Sequence, residues 1–165
     1  MNQSRYIDEK DLPFTEDELF RAFALTEDEQ VARDAARTLA ELLSSGTYEG
    51  GWSIADEGFA ALALLSEDLR KRVNAYMAAR WEGMRWLAVR TALRREGLPP
   101  TSKPTSSALR AAEDEIARYV ENWRRGCAAL AEWVGRRQAG EPVADEPPPW
   151  PGEDEDYGGA LTPEG

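Results

Sequence analysis

The spacing of apolar positions changes several times along the chain, and each change marks an element. "FTEDEL" opens the first pattern, with Thr15 before an acidic turn, Glu18 three residues on, and Phe14 and Leu19 at the flanks. This is the spacing of a capping box with a hydrophobic staple, in which cap and Glu18 satisfy each other's backbone N–H groups. "LTEDEQ" repeats the device with Thr26 and Glu29, and "LSEDLR" gives a looser copy with Ser66 as cap. Helices are expected over about 16–25 and 27–45, the second carrying Val31, Ala35, Leu39 and Leu42 inward and stopping at Ser44–Gly46. The acidic clusters at Glu16–Glu18 and Glu27–Glu29 are read as capping turns that suit the helix dipole rather than as metal ligands.

"GTYEGGWS" follows as a loop, with room for a short strand pair around Tyr48–Trp52. Its glycines make no phosphate loop, because no Lys-Ser/Thr follows them. A third helix is expected over about 54–64, with Ile54, Ala61, Leu62 and Leu65 inward. Two long helices then run over about 67–96 and 107–138, separated by "GLPPTSKPT", whose prolines stop the first. Each is ~45–50 Å long at 1.5 Å per residue. A linker this short folds them back into an antiparallel hairpin.

The first long helix is apolar on two sides. Val73, Tyr76, Met77, Trp81, Met84, Leu87 and Ala88 share one arc, while Ala75, Ala79, Trp86, Val89 and Leu93 lie nearly opposite. One side fits the second long helix. The other fits either the N-terminal helices or a second copy of the chain, meeting at Trp86, Val89 and Leu93. The second long helix carries one stripe, Leu109, Ala112, Ile116, Val120, Trp123, Cys127, Leu130 and Val134, at a near-heptad period. The expected core includes Leu39, Leu62, Trp81, Met84, Ile116, Trp123 and Leu130. Shifted by 43 residues, the two helices match at Tyr76, Gly83, Leu87, Ala88, Arg94 and Gly97 against Tyr119, Gly126, Leu130, Ala131, Arg137 and Gly140. Shared helical periodicity accounts for most of this, and one imperfect pair makes no solenoid.

From Gly140 the pattern ends. "GEPVADEPPPWPGEDEDYGGALTPEG" is rich in Pro and Gly and has eight acids and no basic residue. Such a segment buries too little surface to order itself. The expected organisation is an N-terminal arm at 1–13, a helical domain at 14–139 and a disordered acidic tail at 140–165. The fold class is all-α, with short N-terminal helices packed on the long antiparallel hairpin.

Composition narrows the chemistry. Among 165 residues there is no histidine and one cysteine, Cys127. Ser-His-Asp and Cys-His catalysis, His-based zinc sites and an intrachain thiolate cluster are all excluded. Cys127 lies in an apolar stripe and reads as a buried structural thiol. A single thiol and an N-terminus without a secretory pattern point to the cytoplasm. No stretch is apolar enough to span a membrane. Glu113, Asp114 and Glu115 form an acid run on the last helix, but no Glu-x-x-His pattern accompanies them. No catalytic, metal or cofactor site is expected.

Net charge is -11, unevenly distributed. Residues 1–68 hold 16 acids and 5 basic residues, 69–140 hold 7 and 15, and 141–165 hold only acids. Acidic surfaces commonly meet basic partners. The expected function is that of a non-enzymatic adaptor, assembly chaperone or inhibitor, binding a basic protein partner through its acidic surface and tail. In the tail, Trp150, Glu153, Asp154, Glu155, Asp156 and Tyr157 would set an acidic run between two aromatic anchors. The alternative is a subunit of a nucleoprotein complex whose basic hairpin touches nucleic-acid phosphates through Arg72, Arg90 and Arg94.

Overall fold

The computed structural model describes residues 14–45 and 52–152, with the side chains of 14–41 and 56–152. It holds five helices: α1 (Glu16–Ala24), α2 (Glu29–Ser45), α3 (Trp52–Leu65), α4 (Glu67–Arg95) and α5 (Ser106–Gln138). There is no strand among the described residues. Trp52 lies in α3, and the remainder of the strand pair expected at Tyr48–Trp52 falls outside those residues. The N-terminal arm expected at 1–13 also falls outside them.

Local sequence sets most helix ends. The Thr15 hydroxyl accepts from the Glu18 N–H at 3.1 Å, and the Thr15 N–H donates to Glu18 Oε1 at 2.9 Å. Phe14 and Leu19 beside them are buried. Ser66 caps α4 through the Leu69 N–H at 3.1 Å. The second capping box is corrected. Thr26 is buried and donates to the Phe23 carbonyl at 3.0 Å, closing the end of α1. Asp28 caps α2 instead, accepting from the Val31 N–H at 3.0 Å. Thr26 is unable to cap forward because the chain is still turning out of α1 there, with the Thr26 and Glu27 N–H groups both bonded to Phe23.

Both long helices end in the same motif. Gly97 and Gly140 take φ of 79° and 78°, the left-handed region that glycine enters without a Cβ penalty. The Leu98 N–H bonds back to the Leu93 carbonyl, and the Glu141 N–H to that of Arg136, giving the six-to-one bond of a Schellman turn at each end. The Arg94/Gly97 and Arg137/Gly140 identities therefore mark a shared way of stopping a helix.

α3 is apolar nearly all round from Phe59 onward, which suits a central element. Phe59, Ala60, Ala61 and Leu62 are buried, and α3 touches each of the other four helices. Phe59 packs against Phe14 and Tyr76 with ring centroids 5.4 and 4.9 Å away. On α3 Gly58 admits the Phe23 ring so closely that a Cβ would stand 2.5 Å from it. α4 and α5 lie side by side. Glu96 accepts from Thr105, Arg85 bonds Glu113, and Trp81 stacks edge-on against Tyr119 and Trp123. Residue numbers thus rise along α4 as they fall along α5.

The expected core is largely present: Leu39, Leu62, Met84, Ile116, Trp123 and Leu130 are buried, and Trp81 is half-buried against them. The opposite patch of α4 divides. Val89 and Leu93 are buried within the chain, whereas Ala75, Ala79 and Trp86 are exposed. On α5 the stripe shifts. Leu109 is exposed, while Tyr119, Asn122, Gly126 and Trp133 join the buried face. α3, α4 and the segment around Ala144 and Trp150 each cover part of α5, so its buried arc is wider than a heptad seam.

Residues 140–152, expected to belong to a disordered tail, are placed along α5. The Trp133 indole N–H donates to the Ala144 carbonyl at 3.0 Å, and Val143 and Trp150 pack on the core. Composition forbids this segment a core of its own, but α5 supplies one. Residues 153–165 lie outside the described residues.

Candidate functional site

The acidic turns expected to meet a partner lie at the starts of α1 and α2. Glu16, Asp17, Asp28, Asp34 and Glu41 are exposed on α1, α2 and the turn between them. Asp34 accepts from Gln30 within α2, and Glu29 pairs with Arg33. Glu16, Asp17, Asp28 and Glu41 carry no ion pair among the described residues. Val31 is exposed beside them, and Phe20 is half-buried under the Arg33 guanidinium at 4.3 Å. Glu18 is the exception in the first turn. Arg72 Nη2 reaches its Oε2 at 2.8 Å, and that bond, outweighing some burial, holds the Glu18 carboxyl below its ordinary range.

The three arginines proposed for phosphate contact are not one site. Arg72 sits on the second turn of α4, held by Glu18 and by Asp68. Arg90 and Arg94 lie on the last two turns of α4, nearly 30 Å away along a helix of 1.5 Å rise. Elsewhere on the long helices, Arg70, Arg85, Arg118, Arg124 and Arg136 each pair with a nearby acid. Arg90, Arg94, Arg95, Lys103 and Arg110 have no ion pair among the described residues. They gather around the turn between α4 and α5, where Leu98 and Leu109 are also exposed.

At the centre lies a polar cluster that the sequence reading missed. Asp56, on the first half of α3, is 3% exposed. Arg80 Nη1 donates to its Oδ1 at 2.7 Å. The Tyr119 hydroxyl lies 2.9 Å from Oδ1 and 2.7 Å from Oδ2. Trp81 stands edge-on to Tyr119 and to Trp123, so the surroundings are aromatic. Burial lifts the Asp56 carboxyl above its ordinary value against the pull of Arg80 and Tyr119. Burial is the largest influence on the Arg80 guanidinium and works against it, yet the Asp56 charge, the two tyrosines Tyr119 and Tyr76 and the Asp56 hydrogen bond together outweigh it and raise Arg80. A guanidinium keeps its proton in proteins, so Arg80 is a buried cation with Asp56 as its acidic partner. Both carboxylate oxygens are bonded, and the cluster ties α3, α4 and α5 at one point.

Neither a protein-family model nor any curated protein or solved structure matches this chain. Its chemistry is read from its own side chains.

Among the described residues no three His, Cys, Asp or Glu side chains are placed to share a metal ion. No helix of the described residues is long and apolar enough to cross a membrane. Cys127 is half-buried, less enclosed than its stripe implied. Burial, with the Asp56 charge adding to it, pushes its thiol up to about 12, where the nucleophilic thiolate is scarce at neutral pH. Glu113 is exposed and pairs with Arg85. Trp150, expected as a free anchor, is half-buried: its indole lies against Gly126 of α5, whose missing Cβ would be 2.5 Å from the ring. Glu153, Asp154, Glu155, Asp156 and Tyr157 lie outside the described residues. The signal for Asp56 was present: it is an acid entering the apolar run "FAALALL". The signal for the Trp150 seat was a glycine inside a helix otherwise made of good helix formers.

Proposed function

We propose that the protein is a non-enzymatic helical interaction protein, an adaptor, assembly chaperone or inhibitor, that binds a protein partner with a basic surface. The observation that carries this reading is the excess of exposed acids on α1, α2 and the turn between them over the exposed Arg21, Arg33 and Arg37 of the same segment. Glu16, Asp17, Asp28 and Glu41 are exposed there without ion pairs among the described residues, beside the exposed Val31. Charge of this kind speeds encounter and falls with salt, while a small apolar patch supplies contact. The long helices serve in this reading as an antiparallel scaffold behind the face. Glu153–Asp156 would extend the same charge.

The test is affinity capture from the native cell with two chains, the wild type and Glu16→Lys/Asp17→Lys/Glu41→Lys. A basic protein retained by the first at low salt, released by high salt and not retained by the second supports the reading. Equal retention by both chains removes the acidic face from it.

One observation favours a second reading, a nucleoprotein subunit touching phosphates. Five basic residues without ion pairs among the described residues, Arg90, Arg94, Arg95, Lys103 and Arg110, lie around the α4–α5 turn, so its contacts would be these rather than Arg72, which Glu18 and Asp68 hold. Salt-sensitive binding of duplex or single-stranded nucleic acid, lost in Arg90→Glu/Arg94→Glu, would place that reading first.

A further inference from the structure

Residues 142–151 run along α5 without helix or strand of their own. What holds them shows what the helix surface accepts. At one end, the Trp133 indole N–H reads a backbone carbonyl, that of Ala144, at 3.0 Å. At the other, the six-membered edge of the Trp150 indole rests on the helix backbone at Gly126. Cη2, Cζ3 and Cζ2 stand 2.5, 2.6 and 2.7 Å from where a Cβ would be. Any residue but glycine would close that seat. Between the two points the chain carries Pro147, Pro148 and Pro149. Prolines pre-set an extended backbone, so little freedom is lost on docking.

The fit is incomplete. A shallow depression of about 310 Å³, open to solvent, remains between α5 and this segment, lined by Ala129 and Trp133, by the Glu132–Arg136 ion pair and by Pro142, Val143, Ala144 and Pro148. The chain's own residues there are small, so a larger apolar side chain at the position of Val143 or Ala144 would fill it.

We infer that this face of α5 is a peptide-binding groove, and that its ligand is an extended, proline-bearing, acidic segment of a partner protein anchored by a tryptophan. The chain's own residues 142–151 occupy it as a tethered stand-in, joined to the helix by the Gly140 turn. Asp145 and Glu146 give the stand-in its acidic character. A tethered occupant competes at an effective concentration in the millimolar range. A partner segment that also fills the depression displaces it. The groove is separate from the acidic face of α1 and α2 and does not depend on it.

The test uses full-length chains and a fluorescein-labelled synthetic peptide with the sequence of residues 141–152, followed by anisotropy. The peptide is expected to bind the Trp150→Ala chain at least about tenfold more tightly than the wild type, whose own Trp150 holds the seat. It is expected not to bind Gly126→Ala, in which a methyl group takes the seat, or to bind any chain once its own tryptophan is alanine. Gly126→Ala favours the helix intrinsically, so its fold is retained. Trp150→Leu substitutes if Trp150→Ala loses its helical circular dichroism. Equal affinity for the Trp150 and Gly126 variants overturns the groove, as does no binding to the Trp150 variant at about 1 mM peptide. A wild-type dimer in light scattering that Trp150→Ala dissociates also overturns it, since the ligand would then be a second copy's own segment.

Discussion

Arg72 and Arg80 stand about two turns apart on α4, and each holds a carboxylate from an earlier helix. The contacts are nearly equal, 2.8 Å to Glu18 and 2.7 Å to Asp56. The carboxylates respond in opposite directions. Glu18 is lowered, because water still reaches the pair and the Arg72 bond outweighs partial burial. Asp56 is raised, because α3, α4 and α5 remove its water and Arg80 and Tyr119 restore only part of that loss. Separation sets the Coulomb attraction, but the surroundings decide whether an ion pair gains or loses by being formed. The rim pair fastens α1 to α4. The central pair selects one arrangement of three helices at a cost in stability.

The hardest way to break the comparison is to remove one central partner. Asp56→Leu removes the carboxylate paired with the buried Arg80 charge and is expected to lose about 3–5 kcal/mol in urea unfolding. The cluster removed whole behaves differently. Asp56→Leu/Arg80→Met/Tyr119→Phe is expected to match or exceed the wild type in stability, by up to about 4 kcal/mol. A triple variant as unstable as the single one would show that the cluster stabilises the fold outright. Tyr119→Phe removes one hydroxyl from an ionised acceptor, and a loss of about 1.5–3 kcal/mol is expected in the same assay. Glu18→Gln, at the rim, is expected to lose at most about 1 kcal/mol.

The finest distinction is in pH. Glu18 is depressed below its ordinary 4.5, so its contribution is present above that value and fades as acid carries the pH down through the folded value. Asp56 is raised above 3.8, so the folded state binds its proton more tightly than the unfolded one. Its contribution is largest below 3.8 and declines as pH rises through the folded value. The stability difference between wild type and Glu18→Gln should therefore grow with pH in the acid range, and that between wild type and Asp56→Asn should shrink. Slopes of the same sign, from urea titrations at several pH values, would end the contrast.

The parts legible in the sequence were those decided within a few residues. Thr15 and Ser66 cap their helices because a hydroxyl, an acidic turn and an N–H lie within one turn. Thr26 has the same neighbours and fails, because Phe23 claims it from the preceding helix. Asp56 was out of reach of such reasoning: its partners are 24 and 63 residues away, and only the packing of three helices brings them together. The C-terminal segment misled for a related reason. Composition measures whether a segment orders itself, and says nothing of a glycine on another helix that accepts one tryptophan.

The spacing of the central cluster also has a consequence in time. Asp56 is synthesised 63 residues before the Tyr119 hydroxyl that completes its bonds. At about 5–20 residues per second, that interval is roughly 3–13 s. Until it passes, the side of α3 that α5 covers has no neighbour, and Asp56 there stays open to water. Ribosome-bound chains halted before residue 119 should leave residues 56–62 open to hydrogen exchange, and chains halted after α5 has left the tunnel should protect them. A late residue would then set the moment at which an early helix folds.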